Sequence, residues 1–328
     1  MPQGLTPNGN DFGPKTGDLR DMKSFEELKE AFVKQIEFWV DWHVSYVNFY
    51  ELAYGEFFPC VSASLTMEGC MDSGKDVLRG GAKYNSTGLT GAGIGNVADS
   101  LCAIKKLVFE DKTVTADQLL DALNKNWEGY EELQQYIDNE LPHYGNDIEE
   151  VDEIAAWAMG VFCDKVNSSW GPRGPWRPST FTMTVHIDFG RQTMATPDGR
   201  FLGTPLAEAI SPRQGFDKNG PTAYLTSAAK LPQVKLGNGD QCNIKFSPSV
   251  CQGEQGTRHL QQLISTYFDQ GGMQVQFNVV GVDTLHDAQE HPEDHQNLIV
   301  RIAGFSAYFV EMPKVLQDDF ITRTEHEG

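Results

Sequence analysis

The sequence predicts an α/β fold, because helical and strand-like segments alternate along the second half of the chain. Residues 257–268 carry apolar side chains at helical spacing, and residues 273–280 follow them as a short strand-like run. The chain has 328 residues, of which 40% are hydrophobic. That length and composition are typical of a globular protein with a large core and one or two domains.

The first part of the chain is predicted to be mainly helical. Residues 1–23 are rich in proline and glycine and predict a loop. Ser24 and Glu27 then form a capping box, and the apolar spacing that follows predicts a long amphipathic helix to about Tyr50. A second capping box, which begins at Thr115, predicts another helix.

A strong turn signal at residues 195–200 separates two predicted domains, residues 1–195 and 196–328. Before this turn we predict a helix over 151–166, a stiff loop over 173–178 and a strand over 180–187. After it we predict the helix over 257–268, the strand over 273–280, a short helix from Asp283, a strand entering Gly304 and a closing helix over 315–324.

The charge balance excludes two classes of partner. Acidic residues number 46 and basic residues 26, so the net charge is -20. Nucleic acids and anionic membranes both require a basic surface, and neither is expected as a partner. There is no apolar run as long as a membrane span and no signal-peptide pattern after Met1, which predicts a cytoplasmic protein. The six cysteines are scattered and are predicted to be reduced, buried thiols.

Two other patterns resemble ligand sites. A cluster of glycines at 88, 91, 93 and 95 resembles a phosphate-binding loop, but Asn96 occupies the place of the third glycine of that motif and no strand is predicted before it. We therefore predict that these glycines permit close packing before a helix that starts near Val97. His286, His291 and His295 have spacings found in zinc sites, but Pro292 interrupts the helix, so a solvated turn is predicted and no metal site.

Gly304 follows the strand-like residues 298–300 and stands between Ala303 and Phe305. A glycine in such a run, taken alone, predicts a turn or a bulge. However, residues 301–309, RIAGFSAYF, closely resemble the signature of glycyl radical enzymes, the pyruvate formate-lyase-like superfamily. Further segments resemble this family in the same order: GGAKYN at 80–85, DSLCAIKK at 99–106, YGND at 144–147, TPDGR at 196–200, DKNGPT at 217–222 and QFNV at 276–279.

The resemblance implies a role for Gly304. In the family the matching glycine loses an α-hydrogen and stores an unpaired electron, with Arg301, Phe305, Ser306 and Tyr308 forming the packed loop around it. A planar radical centre suits glycine because no Cβ restricts the backbone. The loop is also expected to be buried away from oxygen, which implies an oxygen-sensitive enzyme of anaerobic metabolism.

The resemblance also implies a fold and partners. The family fold is a ten-stranded α/β barrel of two half-barrels, and this chain resembles its C-terminal half, which is expected to be incomplete alone. The family's second central loop carries a cysteine, usually in a Gly-Cys-Val-Glu-like motif, that passes the radical to substrate. Cys70 matches a different family segment and Cys60 is a weaker candidate, so this cysteine is expected outside the chain, on an N-terminal portion that acts as a partner.

The same resemblance implies the remaining requirements of the chemistry. A separate activating enzyme that uses S-adenosylmethionine and an iron–sulfur cluster would generate the radical. The chain itself would hold no metal and no organic cofactor. Without the cysteine-bearing portion it is expected to be inactive, and an oligomer is expected.

The reaction is predicted only by class: lyase, dehydratase, decarboxylase or fumarate-adding enzyme. In dehydratase-like and amine-lyase-like relatives the residue matching Phe181 faces a small-molecule substrate, and Met183 is expected beside it on one strand face. An aromatic ring without a hydroxyl group favours a substrate with an apolar part, although Phe181 is equally compatible with a core position. The alternative function is a non-catalytic spare part that rescues a damaged enzyme, which the length of the resemblance disfavours.

Overall fold

The computed structural model of this protein describes residues 12–326, which divide into two compact units. The first unit consists of residues 12–90, Gly160–Ser179 and Lys235–Asn238, and the second of Gly91–Met159, Thr180–Val234 and 239–326. Helices and short strands alternate in both units, so the predicted α/β class is confirmed.

Within residues 12–326, the α-helices in chain order are α1 (Phe25–Phe57), α2 (Val61–Thr66), α3 (Cys70–Ser73), α4 (Ile94–Ile104), α5 (Ala116–Asn124), α6 (Glu131–Glu140), α7 (Glu149–Asn167), α8 (Val185–Gln192), α9 (Gly220–Ala229), α10 (Gly253–Asp269), α11 (Val282–Glu290) and α12 (Lys314–Thr322). The strands are β1 (Thr87–Thr90), β2 (Trp170–Gly171), β3 (Gly174–Ser179), β4 (Asn243–Phe246), β5 (Gln276–Val279), β6 (Ile299–Arg301), β7 (Ser306–Tyr308) and β8 (Glu325–His326). A π-helical segment, Lys105–Glu110, continues α4.

The long helix α1 of the first unit begins where its capping box predicts. The Ser24 side chain accepts a hydrogen bond from the Glu27 backbone N–H at 3.3 Å, and the Lys23 N–H donates to the Glu27 carboxylate at 2.9 Å. The helix extends beyond the predicted end at Tyr50 to Phe57. Its inward face packs Val40 and Val44 in one buried cluster with two residues from other segments, Val166 and Trp176.

The stiff loop predicted over 173–178 is wrong beyond Arg173, because residues 174–178 belong to strand β3. The strand pairs in parallel with β1 and, through its first two residues, in antiparallel with β2. Pro175 and Pro178 caused the error, since proline lacks the N–H that a strand donates. The sheet tolerates Pro178 because only β1 pairs with that end of the strand.

The second unit contains a parallel sheet of order β5-β4-β8 and a separate antiparallel hairpin of β6 and β7. The helix and strand predictions for residues 257–324 are confirmed by α10, β5, α11, β6 and α12. The capping box at Thr115 is also confirmed, with reciprocal hydrogen bonds to Gln118 of 3.2 and 2.9 Å.

The strand predicted over 180–187 is wrong. The alternating threonines imitate a strand, but the chain turns at Met183, whose φ is +54°, and then enters α8. The Thr182 carbonyl accepts the Val185 N–H at 2.9 Å, which closes the turn. Thr182 is buried, and its hydroxyl accepts the Ala209 N–H at 3.3 Å. Its side chain therefore binds the backbone of another loop and does not lie on the face of a sheet.

The glycine cluster is partly as predicted. Strand β1 ends at Thr90, directly before Gly91, so the expectation that no strand leads into the cluster is wrong. Close packing is confirmed, because a Cβ placed on Gly95 would lie 3.1 Å from the Ala207 side chain and 3.1 Å from the Ser211 carbonyl oxygen. Gly93 has a φ of +79° and occupies the N-cap of α4.

The cysteines are reduced, and most are buried as predicted. Cys70, Cys102, Cys163 and Cys242 are buried, Cys251 is half-buried, and Cys60 is exposed, which contradicts the prediction at that position. Among the described helices, none combines the length and apolar character needed to cross a membrane.

Candidate site: the hairpin that carries Gly304

Gly304 lies in the turn between β6 and β7. The Ile302 N–H donates to the Phe305 carbonyl at 2.9 Å and closes the turn, and Gly304 has a φ of +78°. A Cβ placed on Gly304 would meet no atom within 4 Å. Glycine is therefore required here by backbone conformation and not by lack of space.

Four buried carboxamide side chains, Gln241, Asn243, Gln276 and Asn278, contact the backbone of this hairpin, and we call them the carboxamide cluster. The side-chain NH2 groups of Gln241, Asn243 and Gln276 donate to the Ile302 carbonyl, at 2.8, 3.3 and 2.9 Å.

The cluster also contacts the backbone on both sides of Ile302. The Gly304 N–H donates to Gln276 Oε1 at 3.1 Å. Asn278 binds the Arg301 backbone, accepting its N–H at 2.7 Å and donating to its carbonyl at 2.8 Å. The hairpin is thus held by side chains from strands β4 and β5 and by Gln241, which lies two residues before β4.

The cluster is joined to a buried network of charges. Asn243 Nδ2 donates to the Glu208 carboxylate at 2.7 Å, and Glu208 forms an ion pair with Arg323 at 2.8 Å. Arg323 also pairs with Asp319 at 2.9 Å, and Asp319 accepts from His186 at 3.2 Å. Burial raises the pKa of Glu208, and the nearby Arg323 opposes that rise. These charges fix Asn243, whose Oδ1 in turn accepts from Gln241 at 3.0 Å and from Gln276 at 2.6 Å.

The predicted loop residues all belong to the hairpin. Arg301 ends β6, and Ser306 and Tyr308 lie in β7, where Arg301 and Ser306 are register partners. The core contacts come from the alternate residues, including Val300 and Ile302, which are buried. Their roles beside a radical stay predictions.

The expected burial of the loop is not provided by the residues that the structure describes. Gly304 and Ser306 are exposed, and Phe305 and Tyr308 are each 42% exposed. The cause is the strand alternation, which directs Val300 and Ile302 into the core and leaves the tip outside it.

Phe181 and Met183 do not share a strand face, because the segment turns between β3 and α8. Phe181 is half-buried and packs near Gly239, where a built Cβ would lie 3.8 Å from its ring, whereas Met183 is exposed. The expectation of a common strand face is wrong, and the substrate role of both residues stays a prediction.

The cysteines and histidines do not form a second site in residues 12–326. Cys242 lies between Gln241 and Asn243, but its thiol is on the opposite side, where it donates to the Tyr224 hydroxyl at 3.4 Å. Burial raises the pKa of Cys242 to about 12. His295 pairs with Asp287 at 2.6 Å, and within the described chain there is no group of three His, Cys, Asp or Glu side chains placed to bind a metal.

Sequence reasoning identified the strand that enters Gly304 and the loop residues around it, but it missed strand β7 and the carboxamide cluster. The available signal was the pair Gln276 and Asn278, two polar residues on one face of an otherwise apolar strand. Buried polar side chains must find hydrogen-bond partners, so that spacing indicated a backbone segment to be bound on this face.

Comparisons with known proteins agree with this geometry. Residues 2–190 match the sequence model of the family described as pyruvate formate lyase-like, and residues 206–310 match the glycine radical model, a range that includes Gly304. The chain belongs to the pyruvate formate lyase-like glycyl radical enzymes. Its relatives are glycyl radical enzymes that include dehydratases and lyases.

Two curated relatives illustrate the similarity of this glycyl radical enzyme chain. It is 41% identical over 317 residues to trans-4-hydroxy-L-proline dehydratase of Clostridioides difficile, covering 96% of this chain and 40% of the relative. It is 40% identical to isethionate sulfite-lyase of Bilophila wadsworthia, covering 96% and 39%. The chain therefore spans about two fifths of the length of the curated relatives it matches.

The fold also matches part of a solved glycyl radical enzyme. The glycerol-bound, B12-independent glycerol dehydratase of Clostridium butyricum matches with a TM-score of 0.96 and 41% identity, covering 99% of this chain and 41% of that one. Such neighbours are glycyl radical enzyme barrels of mixed α and β content.

Proposed function

We propose that Gly304 stores a radical and that this chain supplies the radical-bearing part of a glycyl radical dehydratase or lyase. One observation carries the proposal: the glycine in the segment matched by the glycine radical model has a positive φ at an exposed hairpin tip. The tip presents the Gly304 α-carbon to a neighbouring molecule without side-chain obstruction.

The radical is proposed to pass from Gly304 to a cysteine in the part of the family sequence that lies outside these 328 residues, on the same polypeptide or on another. Cys242, which lies between two residues of the carboxamide cluster, supports this proposal because its thiol donates to the Tyr224 hydroxyl at 3.4 Å and not to the hairpin.

The first unit supports an association with that missing part. Helix α1 exposes a continuous series of aromatic residues, and we call this surface the aromatic face: Trp39, Trp42, Tyr46, Phe49, Tyr50, Tyr54 and Phe57. Phe49 and Phe57 are 68% and 73% exposed. Soluble chains rarely leave such a surface uncovered, so we propose that the remaining three fifths of the family's length covers it.

The reaction is proposed to be cleavage of a carbon–oxygen or carbon–sulfur bond in a small molecule. The names of the relatives support this class, since they include dehydratases and sulfite-lyases. An apolar part of the substrate beside Phe181 stays a prediction. A separate activating enzyme with S-adenosylmethionine and an iron–sulfur cluster is general for this family and would remove the Gly304 α-hydrogen.

Three further expectations are kept as proposals. The domain boundary between residues 195 and 196 is supported by the two matched ranges, which end at 190 and begin at 206. An oligomeric state is supported by the aromatic face. The cytoplasm remains the proposed location.

The experiment is anaerobic activation of the chain with an activating enzyme, alone and with the cysteine-bearing portion, followed by electron paramagnetic resonance. We expect a doublet that collapses when the protein contains α-deuterated glycine and that is absent in Gly304→Ala. Air should then cleave the activated chain at Gly304 and release a short C-terminal peptide. If no doublet forms, or if one persists in Gly304→Ala, the proposed function is wrong.

A further inference from the structure

We propose that Gln276 is the positioning residue of the radical site, because its one carboxamide binds the two peptide groups that flank Ala303, the second of which carries the Gly304 N–H. This inference rests on the proposed function of Gly304 and adds how the protein holds that glycine. The residue touches the peptide group of the reacting carbon, but it exchanges no proton and no electron with it.

One end of the Gln276 carboxamide donates hydrogen bonds and the other end accepts one. Its Nε2 donates to the Ile302 carbonyl at 2.9 Å, and its Oε1 accepts the Gly304 N–H at 3.1 Å. A single planar group therefore spans the peptide units before and at the tip. Any movement of Gly304 relative to Ile302 lengthens at least one of these hydrogen bonds.

The orientation of this carboxamide is determined by its neighbours. Gln276 Nε2 also donates to Asn243 Oδ1 at 2.6 Å. In the reverse orientation, its oxygen would face two acceptors and its NH2 group would face the Gly304 N–H, so every contact would be repulsive. Asn243 is itself oriented, because its Nδ2 donates to the Glu208 carboxylate at 2.7 Å and an ionised carboxylate only accepts.

The Ile302 carbonyl is the second fixed point. It accepts from Gln241 at 2.8 Å and from Asn243 at 3.3 Å in addition to Gln276. A carbonyl oxygen has two lone pairs, so three donors fully occupy it and leave it no alternative partner. The peptide before the tip is thus immobilised, and Gln276 transmits that position to Gly304.

This contact has a direct consequence for a radical at Cα. When Gly304 loses a hydrogen atom, its Cα becomes planar and the unpaired electron spreads over the adjacent amide nitrogen and carbonyl. A hydrogen bond accepted by Gln276 Oε1 makes the amide nitrogen more electron-rich and so favours that delocalisation. No bond other than the Cα–H bond changes, and the abstracted hydrogen atom leaves with the activating radical.

The test compares Gln276→Met, which keeps the length of the side chain and removes both hydrogen bonds, with Gln233→Met. Gln233 is a matched control, since it is a buried carboxamide whose NH2 group and oxygen bond Ala228 and Met273 instead of the hairpin. Circular dichroism first establishes that each variant is folded.

Before activation, hydrogen exchange of the Gly304 amide is measured. We expect exchange about fivefold to tenfold faster in Gln276→Met, as loss of one or two net hydrogen bonds predicts, and no change in Gln233→Met. After activation, electron–nuclear double resonance is recorded in H2O and D2O. We expect a lower radical yield and an altered coupling of the exchangeable Gly304 amide proton in Gln276→Met alone.

A second variant, Gln276→Glu, keeps an oxygen facing Gly304 and loses the donors to Ile302. Its second carboxylate oxygen would face the Ile302 carbonyl and Asn243 Oδ1, which are both acceptors, so we expect faster exchange of the Gly304 amide in this variant too. This tests the inference even where Gln276→Met does not fold. Wild-type exchange and wild-type coupling in Gln276→Met, or wild-type exchange in Gln276→Glu, would overturn the inference alone. Absence of a doublet in the wild-type chain would overturn the proposed function as well.

Discussion

At Gly304, the surrounding space would allow a residue with a side chain, whereas the backbone conformation disfavours one. No atom lies within 4 Å of a built Cβ, so an alanine would fit, but the φ of +78° is unfavourable for any residue with a Cβ. Glycine is thus required for its conformation, and the proposed radical role adds a requirement for a Cα that carries no side chain.

The first prediction concerns Gly304→Ala. We expect it to lower the free energy of unfolding by about 1–2 kcal/mol, since only the left-handed conformation opposes the added methyl group. Denaturation with urea measures this change. The control is Gly160→Ala in the middle of α7, where no atom lies within 4 Å of the built Cβ and alanine should stabilise by about 0.5–1 kcal/mol. Equal effects at the two sites would contradict the conformational argument.

At the scale of elements, α12 is attached to the rest of the second unit by buried charges one helical turn apart. Asp319 and Arg323 pair with each other, and Arg323 reaches Glu208. Burial by itself raises the pKa of Asp319, but Arg323 and His186 outweigh it and hold the pKa at about 2.

The second prediction follows from the sign of that shift. The ordinary pKa of Asp319 is 3.8, so the folded state binds fewer protons than the unfolded state between pH 3.8 and about 2. The stabilisation is present above pH 3.8 and is lost as the pH falls through this window. We expect Asp319→Asn to lower the free energy of unfolding by about 3 kcal/mol at pH 7 and to weaken its acid dependence.

Urea denaturation between pH 2 and 7 measures both effects. Asp318→Asn is the control on the same helix, since its side chain is half-exposed and an exposed pair with Lys314 contributes less than about 1 kcal/mol. An Asp319→Asn protein as stable as Asp318→Asn would contradict this account of α12.

Strand β4 contributes a further buried charge, Lys245, near the end of α12. Lys245 donates to the Ile321 carbonyl at 3.1 Å, and burial lowers the pKa of its ammonium group to about 8. The nearby Glu325 opposes this shift but does not cancel it.

The third prediction is a rise in stability at alkaline pH. Between pH 8 and 10.5 the unfolded state holds a proton on Lys245 that the folded state has released, so the free energy of unfolding increases with pH in that window. Lys245→Met should remove this increase and stabilise the protein at pH 7 by about 1 kcal/mol. Thermal denaturation in a pH series measures this rise in stability. Lys314→Met, which changes an exposed lysine, is the control. If Lys245→Met shows the same alkaline rise as the wild type, Lys245 is not its cause.

At the scale of the whole molecule, the aromatic face of α1 and the tip at Gly304 are both exposed surfaces, and Phe12 packs against only the Trp39 and Trp42 end of the aromatic face. Trp42 and Tyr46 stack on each other with ring centres 5.2 Å apart, which orders the face without burying it. An ordered apolar surface of this kind favours association.

The fourth prediction is that the chain associates through this face. We expect the double variant Phe49→Ser, Phe57→Ser to reduce self-association, or binding of the cysteine-bearing portion, by at least about tenfold, because two exposed rings leave the contact. Sedimentation velocity measures the change. Tyr84→Ser removes a ring outside α1 that is even more exposed, at 83%, and should have no effect. Equal association of both variants would place the contact elsewhere.

Local patterns allowed much of the fold to be predicted. The capping boxes at Ser24 and Thr115 and the helical spacing after them depend on neighbouring residues only, so α1 and α5 begin where expected. The errors at β3 and at 180–187 have the opposite origin. Pro178 fits in β3 because only β1 pairs with that end of the strand. Thr182 is buried where its hydroxyl accepts the N–H of Ala209, a residue far away in the sequence.

The sequence by itself determined the α/β class, the position of Gly304 and the family, because periodicity and a short signature are encoded in adjacent residues. Only the tertiary structure showed that Gln241, Asn243 and Gln276 meet at the Ile302 carbonyl. These side chains come from segments more than 30 residues apart, and the chain must fold before their carboxamide groups share a partner. Local patterns do not determine such a juxtaposition, since it depends on the pairing of β4 with β5 and on where the hairpin packs.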